Sequence, residues 1–225
     1  MSLILNIDTS SANAYVFLAD GEQLLMAEQN TEQKNHASFL EPAIQRLFKA
    51  AGLSMKQLDA VAVVSGPGSY TGLRVGVATA KGLCYALQKP LIFLNTLELM
   101  AKAGKETNPG KTVFYCPMID ARRMEVFTAL YDFSLKLIEE PQALILTETS
   151  FEAYLKDNTI IFSGDGSTKF KTICKAENAV FSPVNYGVKQ ILEASVELYS
   201  KNKFEDLAYS EPFYLKEFFS NFKIK

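Results

Sequence analysis

The sequence predicts an α/β protein built from two similar lobes, each with a mixed β-sheet and flanking helices. Residues 7–20 align without a gap with residues 119–132, and each stretch is typical of a strand, a tight turn and a second strand. Further along, VVSGPGS at residues 63–69 resembles IFSGDGS at residues 161–167, a strand followed by a glycine turn and a helix start. Two matches in the same order indicate an internal duplication.

Composition limits the function classes. The 225 residues are 48% hydrophobic and 21% charged, which is typical of a globular protein with one large or two small domains. A net charge of −2 offers no broad basic field, so tight independent binding to nucleic acid is not expected. The apolar run at residues 3–7 is too short for a signal peptide, and no run approaches the ~20 residues of a membrane span. Three cysteines without metal-type spacing predict buried free thiols in a reducing cytoplasm.

The first lobe begins with a predicted antiparallel meander of three strands, at residues 3–8, 14–19 and 24–29. Residues 36–51 follow as an amphipathic helix with an apolar half, and Gly52 ends it. Pro42 leaves two alternatives: the helix starts near Phe39, with the proline in its first turn, or it starts earlier and bends at the proline.

A short β-branched strand at residues 61–64, a glycine turn and a long apolar helix at residues 72–88 come next. Either Ser69 or Thr71 can cap this helix. Its polar residues occupy an arc of only roughly 60°, so it has more apolar surface than one sheet can cover. The small residues either seat the helix on its own sheet or admit a partner. We predict a docking surface on this helix and the helix at 36–51, formed by Phe39, Leu40, Ala43, Leu47, Gly72, Leu73, Gly76, Val77 and Ala80.

A strand at residues 90–94 and a helix at residues 96–103, capped by Thr96, complete the first half. The polar stretch 104–111 contains Asn-Pro-Gly and is the best candidate for a domain boundary. The sequence therefore predicts an N-terminal lobe at residues 1–103, carrying the docking helices, and a smaller C-terminal lobe at residues 104–225.

A duplicated unit of this kind resembles the actin, Hsp70 and sugar-kinase superfold, which would place Asp8 and Asp120 on opposite sides of a cleft. An ATPase of this type would hold magnesium and phosphates there, with Gly164, Asp165 and Gly166 near the adenosine. However, the hairpins after Asp8 and Asp120 lack the glycine that lets such a turn wrap a phosphate. The turn at residues 66–72 reads GxGxxxG, which matches neither common phosphate-binding spacing. The weak candidates for nucleotide binding are therefore Asp8, Asp120, Gly164, Asp165 and Gly166.

Other chemistry has little support in the sequence. His36 is the only histidine, which excludes an HxxxH zinc site, and at a helix start it is expected to cap or to lie at the surface. Lys169, Lys171 and Lys175 on a predicted helix, together with the aromatic and basic tail at residues 212–216, leave a tRNA-facing patch open. We expect no catalytic residue, no metal and no cofactor.

The motifs together resemble the TsaB family, also called YeaZ, of bacterial tRNA threonylcarbamoyladenosine synthesis. The resemblance covers nearly the whole chain and rests on IDTS at residues 7–10, GPGSYTGLRVG at 66–76 with its continuation to Gly82, DAR at 120–122 and GDG at 164–166. The GPGSYTGLRVG stretch is specific, whereas the others are weak alone.

The resemblance implies a non-catalytic, actin-like protein that pairs with the paralogue TsaD through the first two helices of each N-terminal lobe. TsaD then transfers threonylcarbamoyl to the adenosine beside the anticodon, the ATPase TsaE joins the assembly, and tRNA is reached through the complex. Without TsaD, the chain would pair with itself through the same surface. Two alternatives stay open: a small-substrate kinase or ATPase of the same superfold, and a metalloprotease, for which one histidine cannot supply the zinc ligands.

Overall fold

The computed structural model describes residues 2–32 and 35–216. The first sheet has the order β3-β2-β1-β4-β5 and consists of β1 (Leu3–Asp8), β2 (Ala14–Asp20), β3 (Gln23–Asn30), β4 (Ala60–Gly66) and β5 (Leu91–Asn95). The second has the order β10-β9-β6-β7-β8 and consists of β6 (Phe114–Asp120), β7 (Glu125–Tyr131), β8 (Leu137–Ile145), β9 (Ile160–Ser163) and β10 (Ala179–Ser182).

The two sheets have the same topology. In each, the first three strands pair antiparallel and the last two add in parallel. Read from opposite ends, the two strand orders are identical. This arrangement confirms the predicted duplication and the predicted α/β fold with two lobes.

Six helices flank the sheets within the described residues, together with a short 3-10 helix at Met55–Gln57: α1 (His36–Ala51), α2 (Tyr70–Leu87), α3 (Thr96–Glu106), α4 (Glu152–Leu155), α5 (Ser167–Lys171) and α6 (Val188–Ser200). Across this part of the chain, none of the helices combines the length and the apolar character that crossing a membrane requires.

The helix ends settle three sequence predictions. α1 begins at His36 and contains Pro42 in its interior, so the earlier of the two possible starts is the observed one. The Ser69 side chain caps α2 by accepting from the Gly72 N–H. The prediction of Thr96 as the cap of α3 is wrong: Asn95 is the N-cap, because its side-chain amide oxygen accepts from two backbone N–H groups of the first turn.

Alternate residues of β1 supply two cores. Leu3, Leu5 and Ile7 point towards α1 and α2 on one face of the first sheet. Ile4 points to the opposite face and joins a cluster that also contains Tyr115 and residues of α3 and α6. Since both sheets contribute to this second cluster, one continuous core connects the lobes.

The division of the chain into lobes at residue 103 stays a prediction. The strands of the two sheets separate between β5 and β6. In the second half of the chain, α6 packs against β1, β4 and β5 of the first sheet. Residues 188–200 therefore return to the N-terminal half, because their apolar stripe covers the face that α1 and α2 leave bare.

Candidate functional site

The glycine turn after β4 packs directly on the loop between β1 and β2. The Ser69 N–H donates to the Ser10 carbonyl at 2.7 Å, and the Thr9 hydroxyl donates to the Gly72 carbonyl at 2.7 Å. A Cβ at Gly68 would overlap the Ser10 backbone, and a Cβ at Gly72 would overlap the Thr9 carbonyl. These glycines are needed for the close approach of two loops, which explains the motif without a phosphate.

Asp8, at the end of β1, is enclosed by the chain's own polar groups. The residue is 1% exposed. The Ser10 N–H donates to its Oδ1 at 2.8 Å, and the Tyr186 hydroxyl donates to its Oδ2 at 2.8 Å. Burial raises the pKa of Asp8, and the hydrogen bonds from Ser10 and Tyr186 offset this only in part. Burial also raises the pKa of Tyr186, so its hydroxyl stays protonated and donates.

Asp120, the counterpart of Asp8 in the second lobe, is engaged differently. Its N–H donates to Asp165 Oδ1 at 3.0 Å, and its own Oδ1 accepts from Lys169 Nζ at 2.7 Å and from the Arg122 N–H at 2.6 Å. Burial raises the pKa of Asp120, but Lys169 and the Arg122 N–H together outweigh burial, so the pKa is lowered overall. The carboxylate therefore stays ionised and closes a surface turn.

The glycine turn of the second lobe is also filled by its own chain. A Cβ at Gly164, which has φ +88°, would overlap the Met118 carbonyl and the Met100 side chain. A Cβ at Gly166 would lie 2.8 Å from Val126 Cγ1. The turn thus packs on β6 and β7.

The five weak nucleotide candidates have different surroundings. Asp120, Asp165 and Gly166 lie together at the turn of the second lobe, whereas Asp8 is enclosed by Ser10 and Tyr186. Because Tyr186 covers Asp8, the Asp8 carboxylate is not accessible to a magnesium ion or a phosphate. Sequence reasoning missed Tyr186, because a tyrosine before a helix carries no distinctive signal.

The expectation of a surface or capping role for His36 is wrong. The residue is 3% exposed; its Nε2 lies 2.9 Å from the Ser11 carbonyl and its Nδ1 lies 3.2 Å from Asn30 Nδ2. Since the Asn30 amide nitrogen can only donate, Nδ1 accepts from it and Nε2 donates to the Ser11 carbonyl, so the ring ties α1 to the β1–β2 loop and to the end of β3. Within the described residues there is no group of three His, Cys, Asp or Glu side chains placed to hold a metal ion.

Most of the residues predicted for docking face the chain's own core. They are buried because α1 lies on β2 and β3 while α2 lies on β4 and β1. At Gly76, for example, a Cβ would overlap Thr9 Oγ1. Of the predicted set, Phe39 is half-exposed, whereas the following residues are buried within the chain: Leu40, Ala43, Leu47, Gly72, Leu73, Gly76, Val77 and Ala80.

The outward face of α2 is apolar and small, whereas that of α1 is largely polar. One row on α2 alternates spacings of four and three residues, which is the spacing of a helix–helix seam. We call this row the α2 seam; it consists of Thr71, Val75, Ala78, Gly82 and Tyr85. Tyr85 is 81% exposed. No atom lies within 4 Å of a Cβ built at Gly82, so no contact within the described chain requires this glycine.

The narrow polar arc of α2 is occupied by the C-terminal segment. Arg74 Nε donates to the Tyr214 hydroxyl at 3.3 Å, and Lys81 Nζ donates to the Ser210 carbonyl at 2.7 Å. The segment at residues 204–216 therefore lies beside the α2 seam and leaves the seam itself open.

The structure does not support a tRNA-facing patch in the described part of the tail. The ring of Tyr214 packs on that of Tyr70, with their centroids 5.2 Å apart. Lys216 Nζ pairs with Glu125 Oε2 at 2.7 Å. The Tyr214 ring and the Lys216 charge therefore both interact with other residues of the chain.

The chain is similar in sequence and in fold to several known proteins. A family model described as TsaD, tRNA N6-adenosine threonylcarbamoyltransferase, matches residues 26–217. The tRNA threonylcarbamoyladenosine biosynthesis protein TsaB of Bacillus subtilis is 33% identical over 172 residues, 75% of this chain and 73% of that protein. TsaB of Escherichia coli is 26% identical over 220 residues, 95% of this chain and 94% of that protein. YeaZ from Pseudomonas aeruginosa, at 22% identity, shares the fold with a TM-score of 0.76 over 96% of this chain and 100% of that chain.

Proposed function

Since this chain belongs to the TsaB family of tRNA threonylcarbamoyladenosine biosynthesis proteins, we propose that it is the non-catalytic subunit of the modifying complex. It pairs with a TsaD-type transferase through the α2 seam, TsaE joins this pair, and tRNA is reached through the assembly. A second copy of the chain occupies the same seam when the transferase is lacking.

The observation that carries this proposal is Gly82. A glycine inside a helix costs about 1 kcal/mol relative to alanine. Gly72 and Gly76 are explained by Thr9, but Gly82 has open space beside it. A glycine between Ala78 and Tyr85 on an exposed, largely apolar row permits a partner helix to approach closely, and the gain from that contact offsets the local cost.

The test is co-elution with the TsaD-type paralogue during size-exclusion chromatography. Gly82→Arg and Ala78→Arg place a long charged side chain in the seam without disturbing the core, and we expect both to abolish co-elution. Ala153→Arg, an exposed alanine on α4, is the matched control and should bind as wild type does. Full binding by both seam variants would reject the placement. Buried substitutions such as Leu73→Arg are unsuitable because they would unfold the chain.

The non-catalytic role is tested by reconstitution with TsaD, TsaE and unmodified tRNA, omitting each component in turn. We expect no modification by this chain alone and none without it. The alternative, an ATP-dependent kinase or ATPase, requires an accessible Asp8, and the cover that Tyr186 provides argues against it. Calorimetric titration with magnesium ATP should give no heat of binding, whereas turnover by the isolated chain would favour the alternative.

A further inference from the structure

A cavity of about 750 Å³ opens on the side of the molecule formed by α3, α6 and the turn between β7 and β8. Its lining includes Lys105 of α3, Lys111 of the following loop, Tyr115 of β6, and Phe133 and Leu135 of the turn. This volume lies within the range of small-molecule sites. The α2 seam contributes no residue to the lining.

The floor of the cavity presents an unused donor. Tyr115 is 2% exposed, and its ring is held against α3 by Gly104, where a Cβ would lie 3.1 Å from Tyr115 Cδ1. Among residues 2–32 and 35–216, the Tyr115 hydroxyl has no hydrogen-bond partner. Burial raises the pKa of Tyr115, so this hydroxyl stays protonated and can donate to a ligand.

The free charge around the cavity is positive. Its carboxylates already have lysine partners: Glu106 lies 2.7 Å from Lys189, and Glu197 lies 2.9 Å from Lys102. Glu193 also pairs with Lys189, at 3.7 Å. In the described part of the chain, by contrast, neither Lys105 nor Lys111 pairs with a carboxylate, and Lys111 only donates to an amide oxygen, that of Asn108, at 3.3 Å.

The walls are apolar. Phe133 is 50% exposed and offers a ring, and Leu135 packs against the core beneath it. From the unpartnered Tyr115 hydroxyl, the two lysines without a carboxylate partner and the Phe133 ring, we propose that this cavity binds a small organic anion with a flat apolar body. The ring of the ligand lies against Phe133, and its acidic group receives hydrogen bonds from Lys105, Lys111 and the Tyr115 hydroxyl.

The test uses anilinonaphthalene sulfonate, a fluorescent ring compound with one acidic group, in equilibrium titrations of the full chain. Uncharged phenylnaphthylamine is the companion probe. We expect saturable binding of the anion. The double change Lys105→Gln and Lys111→Gln should weaken the affinity about tenfold, and Tyr115→Phe should weaken it about fivefold. Hydrogen bonds to a charged group contribute factors of this size. Binding of the uncharged probe should be unchanged by the lysine substitutions.

Two controls separate this site from the rest of the surface. Lys156→Gln removes an exposed lysine outside the cavity and should leave anion binding as in wild type. Gly82→Arg should also leave it unchanged, so failure of the seam proposal and failure of this one are distinguishable. Anion binding that is unaffected by the double lysine substitution, or an equal loss for both probes, would overturn the proposal, provided that circular dichroism shows the variants folded.

Discussion

Gly72→Ala and Gly82→Ala form a matched pair that tests whether loop packing explains the glycine motif. Both changes add one methyl group to the same helix and gain about 1 kcal/mol of helix propensity. At Gly82 the methyl group meets nothing within 4 Å, so we expect that gain as net stabilisation. At Gly72 it overlaps the Thr9 carbonyl, and relief requires the β1–β2 loop to move away from α2.

That movement would weaken the Thr9–Gly72 and Ser69–Ser10 hydrogen bonds, both 2.7 Å long. Each contributes about 1 kcal/mol, and overpacking adds about 2 kcal/mol. After the propensity gain, Gly72→Ala should destabilise the fold by about 3 kcal/mol. For a chain of this length, that lowers the unfolding midpoint by roughly 6–12 °C, while Gly82→Ala raises it by roughly 2–4 °C.

Thermal unfolding followed by far-ultraviolet circular dichroism measures both variants against wild type. A Gly72→Ala protein that melts like wild type would refute the packing account of the motif and revive a ligand-binding explanation. A marked loss of stability in Gly82→Ala would show that a contact within the monomer requires that glycine.

Three further outcomes are expected. Because the pKa of buried Asp8 is raised above 3.8, the folded state retains a proton that the unfolded state releases, so the free energy of unfolding falls as the pH rises from 3.8 through the raised pKa. In urea unfolding across the acidic range, Asp8→Asn should lack this fall, and parallel pH profiles of variant and wild type would contradict the assignment. Tyr186→Phe should lose about 2 kcal/mol in the same assay by leaving Asp8 Oδ2 without a donor, whereas an unchanged midpoint would show that this oxygen finds another partner. A thiol reagent should modify only half-buried Cys174 in the native protein, since burial raises the pKa of Cys84 to about 11 and also raises that of Cys116; three equally fast thiols would exclude these burial assignments.

The sequence was sufficient for the architecture because periodicity and turn chemistry are local signals. The helix at residues 36–51 and the strand at residues 3–8 have the observed bounds, and the duplicated strand–turn–strand units lie in equivalent places in the two sheets. The other predicted elements differ from the observed bounds by a few residues at their ends.

The docking residues could not be assigned from the sequence because α2 is apolar nearly all round. A helical wheel shows that such a helix must bury two of its faces, but it does not show which face packs on the sheet of its own chain. Gly72 and Gly82 are indistinguishable in that pattern, and their different roles depend on Thr9, a residue 63 positions from Gly72. The cover over Asp8 likewise comes from Tyr186, 178 positions away.

The continuous core between the lobes has a mechanical consequence. Tyr115 and Ile161 from the second sheet share a buried cluster with Ile4 and Ala62 from the first. A rotation that separates the two lobes would expose this apolar area to water, at a cost of about 25 cal/mol per Å². The two lobes should therefore move as one rigid body. A partner that binds α2 would then contact a preformed surface, and little binding free energy would be lost to ordering that surface.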